Sequence, residues 1–347
     1  MNDDLKSRFA RYRAERPRMH AFDVATALGV SEADLLATRV GDDVTALDGR
    51  TKELFEALPS LGVVKTMTRN ATAVIERWGA FESVEIEGPM GQVVGEAIDM
   101  RLFLSRFGYA FAVEEPSTNG VRRSLQFFDT HGDSIHKVFL DDESRVAAYQ
   151  EIVARHRTEA KIAPTAPQPA PAAERPDAEI DIAGLTAAWD GMRNTHEFFG
   201  LLRRFGVSRT QALRCGGLDR ARPVGVASLE STLRSAAAAE LPIMIFVGNR
   251  GAIQIHSGAV RKIERMHGWL NILDPDLNLH VRDENITSAW VVRKPTEHGI
   301  VTSLELFDAH GENVMLLFNK RAEGTVEDTR WRELTASLGA LERAEVA

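Results

Sequence analysis

The chain carries one stretch of sequence twice, and this repeat constrains the fold more than any other feature. Residues 120–139 read GVRRSLQFFDTHGDSIHKVF and residues 299–318 read GIVTSLELFDAHGENVMLLF, an offset of 179 residues. Eight of these 20 positions are identical, where ordinary residue usage would give about one by chance. The same offset pairs Asn70 with Asn249. An ungapped match over a domain-sized period indicates a duplication, so the two halves are expected to share one fold.

A proline-rich segment separates the two halves. Residues 163–176 read APTAPQPAPAAERP and hold five of the 13 prolines. Proline at this density interrupts helices and strand ladders, so the segment is predicted to be an extended linker. The predicted organisation is an N-terminal repeat at 1–162, a linker at 163–177 and a C-terminal repeat at 178–347.

Short apolar runs predict the strands of each repeat. The runs at 124–128 and 303–307 are each followed by a glycine-containing turn and a further apolar run. This arrangement is typical of an antiparallel hairpin with a short loop. The apolar runs at 243–247 and 289–292 predict further strands of the second half.

Helices are expected on either side of these strands. The pair Asn194 and Thr195 can cap a helix that Gly206 ends, and Ser208 can cap a second helix directly after it. The sequence therefore predicts an α+β fold, in which each repeat is a large antiparallel sheet with flanking α-helices.

Composition excludes several functional classes. The net charge is −8, which argues against nucleic acid as a partner, since such binding needs clustered cations. Cys215 is the only cysteine, so no internal disulfide and no cysteine-rich metal site can form. The acidic N-terminus lacks an apolar signal core, and no apolar run approaches ~20 residues. We therefore expect a cytoplasmic protein that is not a membrane protein.

His196 is the candidate metal ligand. It lies at a predicted helix start, next to Phe198 and Phe199. A neutral imidazole beside an apolar wall suits the axial coordination of haem iron. A lone histidine at such a place is more often an ordinary, partly exposed residue whose neighbours belong to the core. The spacing alone leaves both interpretations open.

Three cations of the second half could pair with the carboxylates of a ligand. These are Arg209, Lys294 and Arg321. Two haem propionates would suit them, although the ordinary state of any one surface cation is solvation. Arg209 opens a predicted helix, where its charge opposes the helix dipole, so we expect it to have another partner.

Arg101 is flanked by apolar residues in the first half, which predicts a half-buried guanidinium with an anionic partner. Asp99 can be that partner. The repeat places His280 at the position equivalent to Arg101. This difference fits one shared site with unequal contributions from two halves, and it also fits neutral drift. The matched pair His131 and His310 is interpreted as turn residues and not as a metal pair.

Several segments together resemble the HemS-type hemin-degrading and haem-transport factors. The resemblance runs from about Arg11 to Arg321. The segments that carry it are VRRSLQFFD at 121–129, THEFF at 195–199, GVSR at 206–209, VRKPT at 292–296 and TSLELFD at 302–308.

The resemblance implies a duplicated cytoplasmic protein that binds haem b non-covalently in a cleft between its halves. It implies His196 as the axial metal ligand and Arg101 as the distal, catalytic arginine. Arg209, Lys294 and Arg321 are the implied propionate contacts. The implied apolar wall of the haem consists of Phe103, Phe199, Phe246 and Phe318.

Two functions in bacterial iron acquisition follow from the resemblance. We expect the chain either to degrade haem oxidatively and release iron, or to carry imported haem to a separate haem oxygenase without reacting with it. A haem importer and a haem oxygenase or reductase are the implied partners. The same residues serve both functions, so the sequence leaves enzymatic activity open, and a haem-free scaffold stands as the third alternative.

Overall fold

The computed structural model describes residues 4–17, 19–118, 120–160, 162, 165–166, 168–169, 173–322 and 324–339. Within these ranges, the helices are α1 Leu5–Glu15, α2 Ala21–Leu28, α3 Glu32–Ala37, α4 Thr51–Ala57, α5 Val146–His156, α6 Ile182–Asp190, α7 Glu197–Phe205, α8 Arg209–Cys215, α9 Ser228–Ala238 and α10 Thr329–Ser337.

The strands of the first half are β1 Val44–Leu47, β2 Val63–Arg69, β3 Ala73–Ala80, β4 Ser83–Glu87, β5 Met90–Val94, β6 Asp99–Phe103, β7 Phe107–Ser117, β8 Gly120–Asp129 and β9 Ser134–Leu140. Those of the second half are β10 Ala221–Val224, β11 Ile243–Gly248, β12 Ala252–Gly258, β13 Ile263–Met266, β14 Trp269–Asp274, β15 Leu277–Val281, β16 Ile286–Thr296, β17 Gly299–Asp308 and β18 Asn313–Asn319.

The strands form two large antiparallel sheets of nine strands each. One has the order β1-β7-β8-β9-β2-β3-β15-β14-β13, and the other has the order β10-β16-β17-β18-β11-β12-β6-β5-β4. The two orders are equivalent, because each strand of one half occupies the place that its repeat partner occupies in the other sheet. This confirms the predicted α+β fold with antiparallel sheets and flanking helices.

Strand register follows the sequence repeat. Val113 of β7 lies opposite Ser124 of β8, and Val292 of β16 lies opposite Ser303 of β17. Both members of the second pair are offset by 179 residues from the first pair. Because a one-residue slip would turn every side chain to the other face of the sheet, the shared register shows that both halves bury equivalent residues.

The repeated Asp-x-His-Gly turns close the hairpins that follow β8 and β17. Asp129 and Asp308 each accept bonds from two backbone N–H groups of their own turns, at 2.8 and 3.0 Å. Gly132 and Gly311 have φ of +81° and +72°, a conformation that favours glycine. His131 and His310, each directly before one of these glycines, are turn residues, as predicted.

The first of two compact units comprises Met1–Arg69, Ile75–Pro169 and Gly248–Gln254. Its main core surrounds Phe55, whose ring centroid lies 4.8 Å from that of Phe127. A capping box at Ser31 starts α3, since its side chain and that of Asp34 each accept the other residue's backbone N–H.

The second compact unit comprises Asn70–Val74, Ala170–Val247 and Ile255–Ala347. Its core includes Trp189 and Phe198, whose ring centroids lie 4.6 Å apart at an angle of 68°. Edge-to-face packing of this kind adds about 1 kcal/mol to the free energy gained by burial. It fixes α7, the helix that bears Phe198, against α6.

Asn70 and Asn249, which the repeat pairs, make equivalent bonds. Asn249 donates to the carbonyl of Ile135 at 2.8 Å within the first unit, and Asn70 donates to the carbonyl of Val314 at 2.9 Å within the second. The acceptors are themselves offset by 179 residues. Each asparagine oxygen also accepts two backbone N–H groups of its own turn, so the side chain fixes the turn.

Part of the predicted linker lies outside the described residues, namely 163, 164, 167 and 170–172. Of its described residues, Thr165 donates to Asp34 of the first unit at 2.9 Å. Arg175 donates to the carbonyl of Phe205 in the second unit. In the part of the chain that the structure describes, no helix has both the length and the hydropathy needed to cross a membrane.

Candidate functional site

Helix α7 has one buried face and one exposed face. Phe198, Leu201 and Leu202 are buried in the core of the second unit. They follow the three- and four-residue spacing of a helix surface, so one stripe of α7 faces the core. Gly206 ends the helix with φ of +60°, as the sequence predicts.

His196 occupies the N-cap of α7. Its backbone is helical, with φ −70° and ψ −23°, and its side chain makes no capping hydrogen bond. The prediction that Asn194 and Thr195 cap the helix was therefore wrong in its position. Asn194 instead accepts the backbone N–H of His196 at 2.8 Å, which holds the residue before the first turn. The imidazole is exposed.

The exposed side of α7 carries His196, Phe199, Gly200 and Arg203, which we call the outer face of α7. Their spacing of three, four and seven residues from His196 places them on one side of the helix. Phe199 is 66 % exposed. A phenyl ring this open, next to an exposed imidazole, leaves a metal-ligating group and an apolar surface side by side.

Two of the three candidate cations meet at one carboxylate. Arg209 donates from Nε and Nη2 to the oxygens of Glu305 at 2.7 and 2.9 Å. Lys294 donates from Nζ to the same carboxylate. Arg209, Lys294 and Glu305 are called the Glu305 cluster below. The expectation that Arg209 has another partner at its helix start is confirmed, and that partner is a carboxylate of the chain itself.

Burial and charge compete in the Glu305 cluster. Burial acts to raise the pKa of Glu305, but the charges of Arg209 and Lys294 outweigh it and hold that pKa far below its usual value. Burial lowers the pKa of Lys294 to about 8, although Glu305 opposes the shift. With Lys294 protonated, two cations face one carboxylate, and the cluster carries one net positive charge.

The Glu305 cluster is joined to α7 through Phe198. The Nζ of Lys294 lies 4.7 Å from the centre of the Phe198 ring, and the Arg209 guanidinium carbon lies 5.1 Å from it. A cation above an aromatic face is attracted by the ring quadrupole. Helix α7 therefore contacts the Glu305 cluster through buried Phe198, two residues beyond the exposed candidate metal ligand His196.

The other predicted residues of the second unit lie on or just after two neighbouring strands, β11 and β18. Phe246 of β11 and Phe318 of β18 are half-buried, with ring centroids 5.2 Å apart at 68°. These strands are neighbours, and Met244 lies opposite Phe318 in their register. Arg321 follows β18, is half-buried and donates to the carbonyl of Thr325 at 3.0 Å.

Arg101 and Phe103 belong to β6 of the first unit. Arg101 is 40 % exposed and donates to Asp99 at 2.5 Å, the partner that the sequence suggested. Its repeat equivalent, His280, bonds to Asn271 at 2.7 Å. The backbone N–H of Phe103 donates to the carbonyl of Gly251 at 2.9 Å, which fixes the end of the strand.

The structure thus brings Arg209 and Lys294 together and brings Phe246 and Phe318 together. Sequence reasoning missed Glu305, the residue that joins the two cations. The alternation Ser303-Leu304-Glu305-Leu306 predicts a strand with one solvent-facing side, yet Glu305 and its neighbours on both sides are buried. The available signal was that Arg209 and Lys294 both need an anionic acceptor, which Glu305 could have been predicted to supply.

A family model described as the haemin-degrading HemS/ChuX domain matches the chain twice, over residues 29–156 and again over residues 206–338. The chain belongs to the haemin-degrading HemS/ChuX family. This confirms the family resemblance found in the sequence. The double match agrees with the duplication of one fold in the two halves.

Relatives of this HemS/ChuX protein match it over nearly the whole chain. Hemin transport protein HmuS of Yersinia pestis is 39 % identical, over 97 % of this chain and 98 % of HmuS. The crystal structure of holo-PhuS, described as a heme-binding protein from Pseudomonas aeruginosa, superposes with a TM-score of 0.93 and 42 % identity, over 97 % of this chain and 99 % of PhuS. ChuS, described as an E. coli heme oxygenase, gives a TM-score of 0.87 and 36 % identity, over 96 % of this chain and 98 % of ChuS.

Proposed function

We propose that this chain binds haem b non-covalently, with His196 as the axial ligand of the iron. The observation that carries the proposal is the outer face of α7, where an exposed imidazole lies beside a phenyl ring that is 66 % exposed. The match to holo-PhuS, a heme-binding protein at 42 % identity, supports haem as the occupant.

The residues fit the three chemical parts of haem. Iron takes a neutral imidazole, which His196 offers from an exposed position. The apolar macrocycle requires apolar surface, which we assign to Phe103, Phe199, Phe246 and Phe318. The two propionates require cations, which we assign to Arg209 and Arg321, with the buried Lys294 adding positive charge behind Arg209.

Arg101 is the proposed catalytic residue. Its side chain is 40 % exposed and has more donors than its bond to Asp99 uses, so it can also donate a hydrogen bond to a small ligand of the iron. The assignment rests on the family resemblance of the chain as a whole, which implies Arg101 as the distal arginine. In this proposal, haem supplies an iron centre that activates oxygen, while the chain binds and orients it.

For the cellular role, we propose oxidative degradation of haem to release iron in the cytoplasm. ChuS, described as a heme oxygenase, supports this role. The second candidate is a carrier that takes haem from an importer to a separate haem oxygenase, and the hemin transport protein HmuS supports it. A reductase is needed as electron donor only in the first role.

A hemin titration followed by aerobic turnover tests both levels of the proposal. Binding predicts a Soret shift that saturates at a fixed hemin-to-protein ratio, and an unshifted spectrum would end the proposal. The complex is then given a reductant in air with catalase present, since free peroxide destroys bound haem without an enzyme. Loss of the Soret band with release of iron identifies degradation, whereas intact haem that passes to an oxygenase identifies the carrier.

A further inference from the structure

Gly200 lies in the middle of helix α7, at a position where the helical conformation does not require glycine. It is the fourth of the nine residues of α7, Glu197–Phe205, so it is neither the first nor the last residue of the helix. Its φ is not among the positive values found for the glycines of turns and caps. Apart from proline, glycine is the poorest helix former, because it loses the most backbone entropy on folding.

The surroundings of Gly200 do not explain its lack of a side chain. Apart from its two chain neighbours and the backbone of its own helix, a Cβ added there would meet no atom of the described residues within 4 Å, and the residue is exposed. By contrast, a Cβ added at Gly184 in the neighbouring helix α6 would come within 2.2 Å of Asp181. Close packing within the described part of the chain therefore accounts for Gly184, but it does not account for Gly200.

The position of Gly200 relative to His196 is informative. The two residues are four apart on the outer face of α7, so they are neighbours one turn apart. Phe199, the next residue, is 66 % exposed. The helix thus presents an imidazole, a phenyl ring and a bare stretch of backbone on the same side. Glycine is used where a ligand must approach the backbone closely.

We propose that Gly200 is a positioning residue for haem: by presenting no side chain one turn beyond His196, it lets the edge of the porphyrin lie against the backbone of α7. This inference rests on the proposed function. A side chain at position 200 would push the macrocycle away from the helix and shift the iron relative to the His196 imidazole.

Gly200→Ala and Gly200→Leu in the full chain test the proposal, because stability and haem binding should change in opposite directions. In thermal melts of the apoprotein, the melting temperature of Gly200→Ala should be about 2–4 °C above that of wild type, since alanine favours the helix. Hemin titrations should show weakening of about tenfold for alanine and about a hundredfold for leucine, the range for overfilling a packed contact. Bands typical of axial imidazole should shift in position in both variants.

Ser235→Ala is the matched control. Ser235 is exposed in the middle of α9 in the same unit, so alanine there also favours a helix without altering the outer face of α7. We expect a small rise in melting temperature with unchanged hemin affinity. This separates the effect of helix stability from that of a side chain beside His196.

The outcomes distinguish this inference from the function on which it rests. If the wild-type chain binds hemin and both Gly200 variants bind it equally well, the inference is overturned while the proposed function stands. A lower melting temperature for Gly200→Ala would also overturn it, because the glycine would then serve the fold. A wild-type chain that leaves the hemin spectrum unchanged overturns both.

Discussion

Replacing Glu305 by glutamine should destabilise the second unit strongly. Glu305 is fully buried and accepts hydrogen bonds from Arg209, Lys294 and Ser303. Glutamine keeps the size of the side chain and removes its charge. The substitution therefore leaves Lys294, which is only 2 % exposed, without the carboxylate that compensates its charge.

The size of the effect follows from the cost of burying Lys294. With Glu305 present, the pKa of Lys294 is about 8 against an ordinary value of 10.5, so even after the attraction of Glu305 the protonated lysine carries a net cost of about 3 kcal/mol in the folded chain. Two unit charges about 4 Å apart attract each other by about 4 kcal/mol at an effective dielectric constant of about 20. Loss of one partner of a buried pair costs about 3–5 kcal/mol. We expect Glu305→Gln to lower the free energy of unfolding by that amount at pH 7.

Urea denaturation of the apoprotein, followed by tryptophan fluorescence, measures this change. Four of the five tryptophans belong to the second unit, so fluorescence mainly reports its unfolding. Glu230→Gln is the matched control, because Glu230 also binds two arginines, Arg234 and Arg265, but at the surface. We expect it to cost less than about 1 kcal/mol. Adding Lys294→Met to Glu305→Gln should restore about 1–3 kcal/mol.

Equal losses in Glu305→Gln and Glu230→Gln would refute this reasoning. They would mean that water reaches this site, so that it solvates the Lys294 ammonium when the carboxylate charge is removed. Failure of Lys294→Met to restore stability would show that the unpaired ammonium is not the source of the loss.

Three further predictions concern pH, a helix end and the distal arginine. Lys294 has a pKa of about 8 in the folded chain and about 10.5 in the unfolded chain, so between these pH values the unfolded chain binds more protons. The free energy of unfolding of wild type, relative to that of Lys294→Met, should therefore rise with pH over this range by up to about 3 kcal/mol. Urea denaturation at each pH measures it. A rise of equal size in Lys294→Met would assign it to other groups. Gly206→Ala should lower stability by about 1 kcal/mol in thermal melts, because φ of +60° disfavours a side chain, and an unchanged melt would contradict this. Arg101→Ala should keep hemin bound but shift its visible bands, and unchanged bands would remove Arg101 from the site.

The fold was largely predictable because the repeat supplies information twice. A strand or turn read in one half is checked by its partner, and the match of residues 120–139 with 299–318 also sets the register of β7 with β8 and of β16 with β17. The cap of α7 was less predictable. Asparagine and threonine both favour that position, and the local sequence does not show which backbone N–H finds which acceptor.

The candidate site was predictable in its residue types but not in its pairing. Arg209 and Lys294 were recognised as cations that need anions, yet Glu305 was interpreted as part of an ordinary strand. Whether the polar side of a strand faces water depends on what packs over it, which a period of two cannot reveal. For the same reason the exposure of Phe199 could not be predicted, since buried Phe198 beside it is chemically identical.

Ligation of iron by His196 is tested most directly by electron paramagnetic resonance of the ferric complex in wild type and in His196→Ala. The exposed His298 of the same unit provides the control His298→Ala. We predict that the axial imidazole signature is lost in His196→Ala and retained in His298→Ala. Added imidazole should restore the signature in His196→Ala. A His196→Ala complex with the spectrum of wild type would show that another residue holds the iron.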